Sequence, residues 1–338
     1  MKMVNFIFGE VPESQKTLWQ IVEDYMSPIK EYYTNPDVTD IMINRYDNVY
    51  VSIDNKSTRV DCSFGSEDNL AKLIEQIGRA LKQDVYGVLD AKFPDSSRVC
   101  ATTPEVTPSG STLTLRIAPK KHMTGEALVA YGALTKEMFD FIIHRVQQYD
   151  NIFISGNVGS GKTSLLRAIS RFVSENDRML IAEDTQELYM DWFPNMIALE
   201  APKRKNKPDQ IVVNLPFLIN TCLRLNGDRI WVGEIRDFLS AKAYVTANNT
   251  GYKGNAATGH SNSALDSVRR LADLLIQGSN IDFDMASRNV ISGIQLFVHC
   301  ERRPDIGRKV TEICISDGEK LIPVFKYDFD KQKHVKLF

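Results

Sequence analysis

No stretch of this chain reaches the roughly 18 consecutive apolar residues that a membrane-spanning helix needs. The first residues, MKMVNFIFGEVPESQ, hold a short apolar stretch but meet Glu10 and Pro12 at once. They show no small-residue cleavage site, so a secretory signal is not expected. Paired cysteines are missing too. Cys62, Cys100, Cys222, Cys300 and Cys314 are odd in number, scattered, and form no C-x-x-C pair. That excludes a disulfide framework and leaves no ready zinc site. They read as reduced, mostly buried thiols in a cytoplasm. Nor does one sign of charge dominate: 41 Lys+Arg against 43 Asp+Glu give a formal net charge of −2. A nucleic-acid coat gains affinity from a concentrated basic face, so direct sequence-specific nucleic-acid binding is not expected. There is no internal repeat and no low-complexity tract.

What is present is ordinary globular composition over 338 residues, 43% hydrophobic and 25% charged, enough for about two domains. Leu18, Ile21, Val22, Tyr25 and Met26 recur at helical spacing and end at Pro28. Ile41–Ile43 and Asn48–Ile53 predict two short strands joined around Tyr46-Asp47-Asn48. Ser66-Glu67-Asp68 opens a helix carrying Leu70, Leu73, Ile74, Ile77 and Leu81. Strand-like segments follow at Arg98–Thr102 and Ser111–Ile117. These elements predict a small α+β N-terminal domain with an antiparallel sheet over residues 1–118. Residues 119–133, beginning Pro119-Lys120-Lys121-His122-Met123-Thr124-Gly125, read as a linker to a larger domain over 134–338. There Thr135 begins a helix. From Asn151 the texture is strand, glycine loop, helix, strand, helix, strand, which predicts an α/β domain with a mostly parallel sheet covered on both faces.

The strongest motif runs from Gly156 to Thr163, Gly-Asn-Val-Gly-Ser-Gly-Lys-Thr. This is G-x-x-x-x-G-K-T, preceded by the apolar Ile152-Phe153-Ile154 and followed by Leu165, Leu166 and Ile169 on a helix. Glycines let backbone N–H groups turn toward a phosphate, and the helix N-terminus adds partial positive charge. Gly156, Asn157, Val158, Gly159, Ser160, Gly161, Lys162, Thr163 and Ser164 are therefore the candidate nucleotide-binding residues. Lys162 suits the β- and γ-phosphates, and the Thr163 hydroxyl suits Mg²⁺. Chance would produce the pattern in roughly one chain of this length in a hundred, before the flanking strand and helix are counted.

Hydrolysis also needs a positioned carboxylate. Arg229–Ile235 reads as an apolar strand ending in Glu234, which places that acid at the carboxyl end of a strand beside the loop, to orient water or hold Mg²⁺. Met179–Glu183 is a second strand ending in acids. Glu183 and Asp184 point to opposite faces, so one of them faces the nucleotide. Asp184 would equally serve as a cap, and Glu183 is assigned to the metal or water.

With these residues in view, the chain resembles the secretion-motor or traffic ATPases, above all the hexameric ATPases of type IV secretion and conjugal transfer. The phosphate loop matches. So do Ile181–Leu188 as the acid box and Leu223-Arg224-Leu225-Asn226-Gly227-Asp228-Arg229 running to Arg236 as the second acidic element. Asn249–Ser263 resembles the histidine box, and Asn35–Asn44 the entry strand. Two positions depart from the family: Tyr252 stands where it usually has His, and Gly227 where it usually has Pro. The Tyr252 change puts one polar sensing contact in question. Residues after Cys300 carry no motif we can assign.

The resemblance implies a RecA-like P-loop domain preceded by a nucleotide-covering, membrane- or partner-facing N-terminal domain. It implies ATP and Mg²⁺ as ligands, and ATP hydrolysis in a homo-oligomeric ring, a hexamer, at the cytoplasmic side of the inner membrane. The partners would be inner-membrane components of a secretion or conjugation channel. His260 would sense the γ-phosphate. Arg98 and Arg116 would reach the nucleotide from the N-terminal domain, and Arg is suited because its fork grips phosphate and stays charged. Arg224 and Arg236 would pair with Glu183, Glu234 or a neighbouring subunit. Lys203-Arg204-Lys205-Asn206-Lys207 reads as a solvated loop, with contact to acidic lipid headgroups as its functional alternative. Other readings are a type II secretion or pilus motor, an ATP-binding ring scaffold with little turnover, and a helicase supported only by that basic loop.

Overall fold

The computed structural model describes residues 2–53, 56–118, 123–188, 190, 192–202 and 212–337. The described residues divide into two compact units, 2–118 and 123–337. The basic segment 203–207 and the first residues of the expected linker, 119–122, lie outside the described residues.

In the first unit, β1 (Met3–Phe6) and β2 (Gly9–Pro12) form a hairpin ahead of α1 (Lys16–Tyr25) and α2 (Lys30–Thr34). The helical pattern does not simply stop at Pro28. A 3-10 turn over Ser27–Ile29 carries the chain into α2, because proline is tolerated where a new helical turn begins. Then come β3 (Val38–Arg45), β4 (Asn48–Ile53), β5 (Lys56–Val60), α3 (Glu67–Leu81), β6 (Val88–Lys92), β7 (Arg98–Thr102) and β8 (Thr112–Arg116). They build a six-stranded antiparallel sheet in the order β5-β4-β3-β8-β7-β6. Strand alternation sends Val99, Ala101, Leu113 and Leu115 into the core with Trp19, Leu70, Ile74 and Ile77. Ser66 caps α3 by accepting from the Asn69 N–H at 3.3 Å.

The second unit runs α4 (Gly125–Ala130), α5 (Lys136–Gln147), β9 (Ile152–Gly156), α6 (Lys162–Ser170), β10 (Met179–Glu183), β11 (Met196–Glu200), α7 (Leu215–Cys222), β12 (Arg229–Ile235), α8 (Phe238–Asn249), β13 (Ala256–Gly259), α9 (Ala264–Ile276), α10 (Phe283–Gly293), β14 (Leu296–Arg303), β15 (Gly307–Ser316), β16 (Leu321–Asp328) and β17 (Lys333–Lys336). Its sheet has the order β11-β10-β12-β13-β9-β14-β15-β16-β17. The strands are parallel from β11 through β14 and antiparallel from there to β17. Both faces of the central strands are covered. Ile152 and Ile154 pack with Met138, Ile142 and Leu165, while Phe153 packs with Leu218, Tyr244 and Leu271 on the other side. Among the described residues no helix is long and apolar enough to cross a membrane. Cys222, Cys300 and Cys314 are buried, but Cys100 is exposed.

The described part of the expected linker is largely helix. Thr124 caps α4, and Leu128 enters the core of the second unit. Gly125 is not there for suppleness: a Cβ would lie 2.0 Å from the Phe139 ring.

At the amino ends of the parallel strands sits a buried ion pair. Arg229, 1% exposed, donates from Nε to Asp177 Oδ2 at 2.6 Å and from Nη1 to the Val146 carbonyl at 3.0 Å. Its guanidinium stacks on Tyr149 at 3.9 Å, and the Tyr149 hydroxyl donates to Asp177 Oδ1 at 2.8 Å.

Candidate active site

Ligands of open parallel sheets bind at the carboxyl ends of the strands. Here β10, β12, β13 and β9 are neighbours in that order, so the loops after them share one sheet edge. After β9 the chain enters the phosphate loop. Gly156 has no alternative, since a Cβ would lie 1.9 Å from the Cys300 carbonyl oxygen of β14. Gly161, at φ 97°, turns the chain into α6 in a region L side chains rarely adopt. The helices α5, α7, α8, α9 and α10 each have a side chain capping their N-terminus; α6 has none and no acid in its first turn. Its first N–H groups are therefore left as donors for an anion.

Lys162 lies over this loop, donating from Nζ to the carbonyls of Gly156 at 3.0 Å and Asn157 at 3.1 Å. Burial pushes its ammonium below the usual lysine range, with the Glu234 charge acting in the opposite sense. His260, just beyond β13, puts Nδ1 2.9 Å from the Gly156 carbonyl oxygen and 3.4 Å from Lys162 Nζ. Its Nε2 stands 2.8 Å from Glu234 Oε1. Arg236 donates from Nη2 to Glu234 Oε2 at 2.6 Å. Burial works to raise the Glu234 carboxyl. The Arg236 hydrogen bond and charge, then His260 and Lys162, outweigh it, so the carboxyl sits below the ordinary glutamate range. Lys162, His260 and the pair Glu234 and Arg236 thus meet at the loop from three separate places in the sequence.

Glu183 stands differently. It is 2% exposed and accepts the N–H groups of Glu187 at 3.0 Å and Leu188 at 3.1 Å. Its side chain packs where Gly233 would otherwise carry a Cβ, 2.9 Å away. Burial pushes its carboxyl up to about 8, against the two backbone hydrogen bonds. The acid beside Thr163 is instead Glu187, whose Oε2 accepts from the Thr163 hydroxyl at 3.2 Å. Glu187 follows the strand rather than ending it, so the strand-end rule that selects Glu183 and Glu234 passes it over. Asp184 is exposed.

The raised Glu183 carboxyl has a stability consequence. Between about pH 4.5 and 8 the unfolded chain loses this proton while the folded chain keeps it, so the group makes stability fall as pH rises through that window. Glu183→Gln is expected to remove that decline. Its unfolding free energy from urea titration, relative to that of the unsubstituted protein, should grow from pH 5 to pH 8 by on the order of a few kcal/mol. A difference independent of pH would refute the assignment.

Arg98 and Arg116 belong to the first unit, where they are cross-strand partners in register on the outer face of β7 and β8. Arg116 donates from Nε to Asp40 Oδ1 at 3.1 Å. Asp95, three residues before Arg98, accepts from the Tyr33 hydroxyl at 2.8 Å and from the Ser97 N–H at 2.9 Å. Arg224 precedes β12 and so lies at the opposite end of that strand from Glu234. Tyr252 precedes β13, again away from the phosphate loop, and its hydroxyl donates to the Leu223 carbonyl at 3.1 Å. Gly227 makes room for Leu180, whose Cδ1 would lie 2.3 Å from a Cβ there. His299, ordinary by sequence, is buried beneath the loop with Nδ1 2.9 Å from the Ser155 hydroxyl, and burial lowers its pKa.

A glycine cradle, an uncapped helix with lysine at its start, and acids on adjacent strand ends define a P-loop nucleotide-binding unit on a mixed α/β sheet. The chain belongs to the Type II/IV secretion system protein family, whose model matches residues 23–311. It is 26% identical over 335 residues to the type IV secretion system protein VirB11 of Bartonella quintana, covering 87% of this chain and 92% of that one. It is 32% identical over 213 residues to the conjugal transfer protein TrbB of Rhizobium radiobacter, covering 62% of each. A protein of Methanocaldococcus jannaschii is 33% identical over 227 residues, of which this chain spans only 31% of the length. In fold it is similar to the pilus retraction motor PilT with bound ADP (TM-score 0.63, 17% identity, 88% of this chain and 83% of that one). It is likewise similar to the Legionella pneumophila ATPase DotB (TM-score 0.56, 20% identity, 97% and 83%).

Proposed function

We propose that this chain is a Mg²⁺-dependent ATPase that forms a ring, a hexamer, and powers a type IV secretion or conjugative transfer machine. The observation that carries this reading is the meeting of Lys162, His260 and Glu234 on the Gly156 loop, with separations of 3.4 and 2.8 Å along that series.

The loop amides and the start of α6 bind the phosphates, and Lys162 exchanges its two carbonyl partners for phosphate oxygens. The donor set suits Mg²⁺ held jointly with a nucleotide. Among the described residues no three His, Cys, Asp or Glu side chains form a metal cage. Mg²⁺ commonly keeps waters and binds one or two protein oxygens plus phosphates, which Thr163 and Glu187 match. Bound there, the ion would neutralise charge on the β- and γ-phosphates. Glu234, ionised at neutral pH, accepts a hydrogen bond from the attacking water and orients it, with Arg236 and His260 fixing the carboxylate. His260 touches both Glu234 and the Gly156 carbonyl, so loss of the γ-phosphate is felt at the head of α9. Arg98 and Arg116 serve as phosphate-gripping arginines from the first unit. Movement of that unit relative to the second then does the mechanical work. The cytoplasmic face of the inner membrane, with channel components and acidic headgroups as contacts, is the setting this implies.

Phosphate release measured with MgATP and with ATP plus chelator tests the chemistry. Sedimentation with and without nucleotide tests the ring. A ring that binds ATP but releases no phosphate would sink the motor reading in favour of a scaffold. A pilus-retraction motor is the second reading, favoured by the fold shared with PilT. Neighbouring genes for channel or for pilus components discriminate the two.

A further inference from the structure

The phosphate loop is held from its outer side by a hairpin that no nucleotide motif contains. The parallel ladder between β9 and β14 ends at the pair Gly156 and Cys300. There the loop turns away, but the Asn157 side chain carries the ladder on. Its Nδ2 donates to the Arg302 carbonyl at 2.9 Å, and its Oδ1 accepts the Arg302 N–H at 2.9 Å. A carboxamide offers the same donor and acceptor as a peptide group, so it substitutes for one more residue of strand. Arg302 is in turn the antiparallel partner of Arg308 on β15. Arg308 reaches back and donates from Nε to the Gly159 carbonyl at 2.8 Å. The Arg302 guanidinium covers the same glycine, with Nη1 3.0 Å from where a Cβ would be.

Inside the loop there is little to replace these restraints. The Ser160 N–H reaches the Asn157 carbonyl at 3.3 Å, and Lys162 holds the carbonyls of Gly156 and Asn157. Those lysine bonds are the ones given up when phosphate arrives. In a trans peptide the carbonyl and the following N–H point opposite ways. Drawing the Gly159 carbonyl outward to Arg308 therefore turns the Ser160 N–H inward.

We propose that Asn157 and Arg308 are positioning residues that brace the phosphate loop from outside, so that the β14–β15 hairpin sets nucleotide affinity without touching phosphate. This rests on the nucleotide-binding reading above. An unbraced loop must be ordered when the ligand binds, and ordering backbone costs free energy that appears as lost affinity.

The loop amides grip phosphates common to ATP and ADP, so bracing affects both nucleotides equally. Equilibrium titration of fluorescent ATP and ADP with Mg²⁺ should show Arg308→Ala raising both dissociation constants by the same factor, roughly tenfold. Its KM for ATP should rise in step while kcat stays within about twofold. Asn157→Ala removes no charge and should weaken both nucleotides in the same way. Three results overturn the bracing role: unchanged affinity in Arg308→Ala, loss confined to ATP, or loss in Arg308→Ala with none in Asn157→Ala, which would mark a plain charge effect. If the unsubstituted protein binds neither nucleotide, the ATPase reading falls and this proposal with it. Both side chains lie at the surface of the hairpin and loop, and matched melting curves check that the variants are folded.

Discussion

Glu234→Gln is expected to lower MgATP turnover by a factor of about 10²–10³ while ATP binding stays within a few-fold of its original strength. The substitution keeps the shape of the side chain and an oxygen for Arg236 Nη2, now 2.6 Å away. It removes the negative charge that Arg236, His260 and Lys162 surround. In the proposed reading binding depends on the loop amides and Lys162, which the change leaves in place. In the same reading hydrolysis depends on an acceptor for the water proton, which an amide supplies poorly. Phosphate release at saturating ATP, read beside a nucleotide titration, separates the two. Turnover within fivefold of the original would show that another residue orients the water.

Asp177→Ala is expected to cost about 3–5 kcal/mol of folding stability. Arg229 would be left charged, 1% exposed, and without its carboxylate partner, though still stacked on Tyr149. The Tyr149 hydroxyl would lose its acceptor as well. The pair joins the start of β12 to the turn before β10, so the damage falls on the sheet's frame, far from the phosphate loop. Denaturant unfolding at neutral pH measures it. The double variant Asp177→Ala with Arg229→Met should recover part of the loss, because it no longer buries an unpaired charge. A loss below about 1 kcal/mol in the single variant would show that the site relaxes or hydrates.

The parts of the site that could be read from the sequence are those whose chemistry is local. The Gly156–Thr163 loop carries its own strand, turn and helix signals, and Glu234 is marked as an acid closing an apolar strand. His260 has no such mark and was legible only through the family's box. Glu183 satisfied the strand-end rule as well as Glu234 does, yet Gly233 opposite it leaves room for the carboxyl to fold inward, and no periodicity shows that. Glu187 carries no such mark, because its place beside Thr163 depends on how the chain turns after β10. Gly125 looked like linker because a glycine flexible in sequence and a glycine crowded by Phe139 are the same letter. The three antiparallel strands after Cys300 were unread for a related reason. Their half-exposed edge pattern is weak, and the contacts that matter, Asn157 with Arg302 and Gly159 with Arg308, span more than 140 residues of chain.

The facing of Arg98 and Arg116 across β7 and β8 gives the first unit an electrostatic bias of its own. Two cations directly opposite on one sheet face repel, and the Arg116 contact to Asp40 at 3.1 Å works against that. A multivalent anion that bridges the pair would relieve this repulsion, whereas a monovalent salt only screens it.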